Sequence, residues 1–233
     1  MRELDRDVIQ QVESMMKCGD YPEKVKYFIC PKCETRERRA FRCKTRICTH
    51  CGKQFTDAWA IKMERDLFQV THRHMIFTIP SSIWPFMKEH APLWRVMLDT
   101  VYQVLQEMMS DNGWKEVIPG VICIFHPFGK DLKFNPHVHV LVTEGGLNRD
   151  TLKEWVQVTY FPYEILRKKW QYLFLKNLRR ASKNTLTHWT IEEPCFEKYQ
   201  NGFYVRARDR VWNSKKLGKY VVRYVRHPAI AES

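Results

Sequence analysis

No stretch of this sequence approaches the roughly 18 consecutive apolar residues that a membrane-spanning helix needs. The first residues, Met1-Arg2-Glu3-Leu4-Asp5-Arg6-Asp7, are charged and hold no apolar signal-peptide core. Both absences point to a protein of the cytosol. Internal repeats and low-complexity tracts are missing too, which sets aside solenoid and disordered classes. Acidic residues are in short supply: 26 stand against 39 lysines and arginines, for a net charge of +13. Such a surplus favours a polyanionic partner, with nucleic acid first and an anionic membrane surface second. What remains is ample for folding. A chain of 233 residues, 44% of them hydrophobic, can build one medium domain and one small one.

Six of the eight cysteines fall between Cys18 and Cys51. In a reducing compartment, clustered cysteines argue for metal rather than disulfides. Cys30-Pro31-Lys32-Cys33 and Cys48-Thr49-His50-Cys51 are two CxxC knuckles, 14 residues apart. Four thiolates so arranged complete a tetrahedral zinc site with no open position, so its role is structural. Cys43 is an alternative ligand, and Cys18 is either a spare thiol or part of a second site. Between the knuckles lie six basic residues, Arg36, Arg38, Arg39, Arg42, Lys44 and Arg46, around Phe41. A small zinc module with such a basic hairpin suits contact with nucleic acid, or else merely presents a solvated surface.

The organisation expected from the sequence is a zinc-binding domain over 1–56, a linker helix over 57–70 and a second domain over 71–233. A Gly- and Pro-free stretch, Asp57 to Gln69, reads as the helix. Within the second domain, His74 to Pro80 reads as a strand. Pro92 opens a long helix whose Leu93, Val96, Met97, Val101, Val104, Leu105 and Met108 recur at helical spacing. Val121 to His126 and the run from Asn135 to Thr143 read as two sequential strands, hence an antiparallel hairpin. A short strand is expected within 155–160, a helix over 162–181, a strand over 203–207 and a last helix over 215–226. The fold class is α+β, an antiparallel sheet flanked by helices behind a small zinc-ribbon-like domain.

The residues that carry chemistry lie on these elements. Side chains alternate along a strand, so His137 and His139 share one face while Val138, Val140 and Val142 take the other. Two imidazoles about 7 Å apart at Cα are placed either to pack or to share a metal ion that polarises a phosphate. The hairpin sets His126, at the end of one strand, beside His137, at the start of its partner, as a third candidate ligand; His74 and Glu144 are weaker ones. Histidines alone suit Zn²⁺ as well as other divalent ions. On the last helix Lys216, Tyr220 and Tyr224 follow at i+4 steps on one face, flanked by Lys219, Arg223 and Arg226. Cations and a polarised target offset the weak nucleophilicity of a phenol whose ordinary pKa is about 10. The alternative is a pair of half-buried tyrosines on an amphipathic helix.

Taken in order, the cysteine-rich N-terminus, Phe77-Thr78-Ile79-Pro80, the segment from His126 through His137-Val138-His139, Thr143-Glu144-Gly145-Gly146 and Tyr220-Val221-Val222-Arg223-Tyr224 resemble the HUH endonuclease superfamily. More closely, they resemble its two-tyrosine rolling-circle transposases of the insertion-sequence-91 type, over nearly the whole chain. The resemblance implies that His137 and His139 hold Mg²⁺ or Mn²⁺, with His126 where the superfamily places a variable third ligand. It implies that Tyr220 and Tyr224 attack single-stranded DNA. It implies structural Zn²⁺ on Cys30, Cys33, Cys48 and Cys51, with Cys43 in reserve. The implied protein is a transposase of the bacterial cytoplasm that nicks and rejoins transposon ends through a 5′-phosphotyrosine. Arg38, Arg39, Arg42, Lys44, Arg46, Lys216 and Arg223 would grip the DNA, no membrane is involved and the oligomeric state stays open. The chain ends at Ser233, soon after the tyrosines, where the family usually continues. Two rivals remain: a rolling-circle replication initiator or relaxase, and a non-catalytic zinc-ribbon regulator.

Overall fold

The computed structural model describes residues 6–20, 25–45, 48–110, 116–129, 131, 133–158, 160–183 and 188–211. These divide into two compact units, 6–66 and 67–211.

In the first unit, helix α1 (Arg6–Met16) precedes a two-stranded antiparallel ribbon, β1 (Val25–Ile29) and β2 (Arg36–Ala40), followed by helix α2 (Thr49–Asp66). Ribbon register sets Val25 opposite Ala40 and Ile29 opposite Arg36. Helix α2 starts inside the second cysteine knuckle, eight residues before the expected Asp57. Its start is set by the Gly52 amide, which donates to the Cys48 carbonyl at 2.7 Å. Among the described residues of this unit, the only buried apolar side chains are Cys48 and Cys51. The described part of this unit therefore leans on its cysteines rather than on a hydrocarbon core.

The second unit holds β3 (His72–Thr78), α3 (Trp84–Glu89), α4 (Trp94–Ser110), β4 (Val117–Phe128), β5 (Phe134–Asn148), β6 (Trp155–Gln157), α5 (Tyr163–Ser182), α6 (Glu193–Lys198) and β7 (Val205–Val211). The sheet runs β4-β5-β3-β7 and is antiparallel throughout, with β6 paired to the C-terminal end of β5. This is the α+β architecture the sequence implied. Strand β5 is central because one face carries an apolar run: Val138, Val140 and Val142 join Met75 and Phe77 of β3 in the core. Helices α4 and α5 cover that face with Met97, Val101, Leu105, Leu166, Trp170 and Phe174. Each such side chain contributes about 1.5–3 kcal/mol of burial free energy. Pro92 lies in a 3₁₀ turn, Ala91–Leu93, and α4 proper begins two residues later than expected. Phe203 is buried ahead of β7, so that strand begins at Val205 and extends past the expected end at Ala207.

The end of β5 is pinched between two strands. A Cβ at Gly145, whose φ is +130°, would meet the Val156 carbonyl of β6, and one at Gly146 would meet the Ile118 carbonyl of β4. Only glycine allows both neighbours to approach so closely.

Candidate functional site

Strand alternation puts His137 and His139 on the sheet face opposite α4 and α5, as the pattern predicted. The β4–β5 register then pairs His126 directly with His137. The three rings sit 4.6–5.4 Å apart, centre to centre. One ligand atom from each lies within 4.8 Å of the others. The structure therefore brings together all three histidines singled out in the sequence.

Their ring nitrogens are also sorted. His137 Nδ1 sits 2.6 Å from the Asn135 carbonyl, so it carries the proton and donates. His139 Nδ1 sits 3.0 Å from His74 Nε2, with the two ring planes within 5° of parallel. His74, opposite Leu141 in the register, reaches diagonally across to His139. It is thus a neighbour of the cluster and not a member of it. Burial holds the His137 pKa below its ordinary value, against the pull of the Asn135 carbonyl, and nearby His126 lowers it further. The neutral imidazole that results is the form that binds a metal. Three nitrogens at this spacing are a plausible donor set for a divalent transition ion, with further positions open to water or a phosphate oxygen.

Glu144 is placed elsewhere. It falls on the helix-facing side of β5, where its buried Oε1 accepts from Arg73 Nη2 at 2.6 Å and Arg210 Nε at 2.9 Å. Its carboxylate thus serves a buried ion pair.

The cysteines assort differently from expectation. Cys18, Cys43, Cys48 and Cys51 gather with all sulfurs within 4.8 Å. Cys51 Sγ is 3.4 Å from Cys18 Sγ and 3.7 Å from Cys43 Sγ. Tetrahedral thiolate ligation at the usual Zn–S length separates sulfurs by about 3.8 Å, so this quartet fits zinc. Cys30 and Cys33 are not in it. They form the turn of the β1–β2 ribbon, where the Cys33 thiol contacts the Thr35 hydroxyl at 3.1 Å. The length of β2, about 17 Å at 3.3 Å per residue, separates that turn from Cys43. Paired CxxC spacing hid this, because the fourth thiol comes from Cys18, just beyond α1. Within the quartet Cys18 and Cys51 are shifted in opposite directions. The Cys43 backbone pulls Cys18 down to about 7, while burial pushes Cys51 up to about 12.

Of the expected DNA contacts, Arg38 and Arg39 lie on β2, with Arg42 and Lys44 beyond it, all exposed. Arg46, Lys216, Tyr220, Arg223 and Tyr224 lie outside the described residues. No helix among the described residues is long and apolar enough to cross a membrane.

Comparison with known proteins agrees with a zinc-binding N-terminal segment. Residues 1–79 match the family "Transposase zinc-binding domain", and residues 120–233 match the family "Putative transposase". The chain is 25% identical over 242 aligned residues to the transposase for insertion sequence element IS801 of Pseudomonas savastanoi pv. phaseolicola, covering 98% of this chain and 57% of that one. It is 23% identical over 156 residues to "Putative transposase y4qJ" of Sinorhizobium fredii, covering 65% of this chain and 39% of that one. The chain thus spans about half the length of these relatives. No solved structure matches it.

Proposed function

This chain belongs to the transposases of the insertion-sequence-91 type with an N-terminal zinc-binding domain, and we propose that it nicks and rejoins single-stranded DNA at transposon ends through a tyrosine nucleophile. The observation that carries this reading is the cluster of His126, His137 and His139, within the segment 120–233 that matches the transposase family and also carries the tyrosine pair in its sequence.

In this account His126, His137 and His139 would hold Mg²⁺ or Mn²⁺ through their ring nitrogens. An ion so held would supply Lewis-acid polarisation of the scissile phosphate. The chain's own groups do the rest. Tyr220 or Tyr224 attacks phosphorus through its phenolate oxygen. The P–O3′ bond breaks, the 3′ oxygen leaves as a hydroxyl after taking a proton, and the 5′ phosphate stays on the tyrosine. Joining reverses these steps with a different 3′ hydroxyl as the attacking group, and needs no ATP because the phosphotyrosine keeps the bond energy. Lys216 and Arg223, near the tyrosines in sequence, offset the negative charge that builds on phenolate and phosphate. The second tyrosine serves a later cleavage while the first holds one strand end. Cys18, Cys43, Cys48 and Cys51 hold Zn²⁺ and so keep the basic ribbon folded.

The two metal sites separate experimentally. His137→Ala is expected to lower single-strand cleavage at least a hundredfold with Mn²⁺ while zinc content by mass spectrometry stays that of wild type. Cleavage that survives His137→Ala and His139→Ala together would remove the histidines from the mechanism.

A further inference from the structure

The β1–β2 ribbon has two different faces. Residues directly opposite in the register share a face. One face therefore carries Tyr27 with Arg38 and Ile29 with Arg36, and the other carries Lys26 with Arg39 and Phe28 with Glu37. The second face neutralises itself. Lys26 Nζ lies 5.1 Å from the centre of the Phe41 ring, Arg39 lies 5.9 Å from that of Phe28, and Arg39 also pairs with Glu37 at 3.0 Å. Among the described ribbon residues, the first face carries no acidic side chain. Its Tyr27 is 65% exposed and its Ile29 58%, and both arginines are exposed.

The geometry points to the Tyr27–Ile29–Arg36–Arg38 face as the surface by which this protein enters the major groove of duplex DNA. A two-stranded ribbon is the width that groove admits, about 12 Å. At about 3.3 Å per residue each five-residue strand reaches ~17 Å along it. Arg36 and Arg38, alternating on β2, aim two guanidinium forks the same way. A guanidinium reads the O6 and N7 edge of guanine or clamps phosphate. Ile29 and Tyr27 supply apolar contact suited to thymine methyls. A single-strand platform would instead present several rings in succession for stacking, and this face offers one. The surplus of 13 positive charges supplies the complementarity. The inference rests on the DNA-processing reading above and adds to it a duplex segment beside the cut strand.

The test uses the full zinc-loaded chain, with no added Mg²⁺ or Mn²⁺, and fluorescence anisotropy of a short mixed-sequence duplex across a salt series. Arg36→Ala with Arg38→Ala is expected to weaken duplex affinity at least about tenfold and to flatten the salt slope by about 1–2. Lys26→Ala, on the self-neutralised face, is expected to stay within about twofold of wild type. Arg36→Lys with Arg38→Lys, which keeps the charge, is expected to keep the salt slope; unchanged zinc content shows that each variant folds. Two results overturn the assignment: an alanine pair that binds duplex like wild type, or a Lys26→Ala loss as large as that of the pair. Since the assay involves no cleavage, its failure leaves the tyrosine chemistry standing, and absence of a tyrosine adduct leaves the ribbon standing.

Discussion

At the scale of single residues, the cysteines give the sharpest contrast. Four thiols that crowd within 4.8 Å are a site, whereas two thiols at a ribbon turn are not. Cys43→Ser is therefore expected to lose most bound zinc, measured as metal per chain, while Cys30→Ser with Cys33→Ser keeps it. The opposite pattern would restore the ligand set expected from the two knuckles. Spacing made Cys48 and Cys51 legible in the sequence. Cys18 was not, because a ligand brought in across the turn after a helix leaves no mark at short range. A second residue-scale effect concerns pH. Burial holds the pKa of His72 below its ordinary value despite its Nδ1 bond to the Val70 carbonyl, and His137 is shifted the same way. The unfolded chain then binds protons that the folded one refuses. Stability is full above the ordinary histidine pKa of about 6.5 and falls as pH drops below it. Thermal unfolding without added divalent ion should show a flat Tm between pH 8 and 7, falling towards pH 5. His72→Gln should reduce that fall.

At the scale of elements, the site depends on register. A one-residue slip of β4 against β5 would turn His126 away from His137 and His139. Register is held by the alternation of side chains along β5, which places Val138, Val140 and Val142 in the helix-covered core. Trp170 of α5 ties that core to β3, packing edge-on to Phe77 at 5.4 Å and donating to the Thr78 carbonyl at 2.8 Å. Trp170→Ala is expected to cost about 3–5 kcal/mol, read as a lower urea midpoint. A loss under about 1 kcal/mol, the scale of a surface substitution, would contradict this packing. The β4–β5 hairpin was legible because both strands are apolar runs joined by a loop with prolines at both ends. The insertion of β3 between β5 and β7 was not, since nothing local in His72–Thr78 states which distant strand it joins. His74 was visible as a residue. Its bond to His139 was not, because it needs that pairing.

At the scale of the whole molecule, the two units divide the work in the way their compositions allow. Among the described residues, 6–66 hold basic charge and a cysteine quartet and bury no apolar side chain besides Cys48 and Cys51, whereas 67–211 hold the core and the histidines. Charge surplus, cysteine clustering and motif order made the class of protein legible from the sequence, and the family matches over 1–79 and 120–233 agree. Coordination, by contrast, is a matter of three dimensions, and it was the structure that changed the cysteine set and moved Glu144 to an ion pair. The central claim is covalent attack by tyrosine, and one measurement tests it most directly. Wild-type protein is incubated with Mn²⁺ and a single-stranded oligonucleotide bearing the element's end, denatured in SDS and analysed by peptide mass spectrometry. The account predicts an SDS-stable protein–DNA adduct on Tyr220 or Tyr224 that disappears in the Tyr220→Phe, Tyr224→Phe double variant. An adduct that persists in that variant, or no adduct on any cognate end, would contradict it.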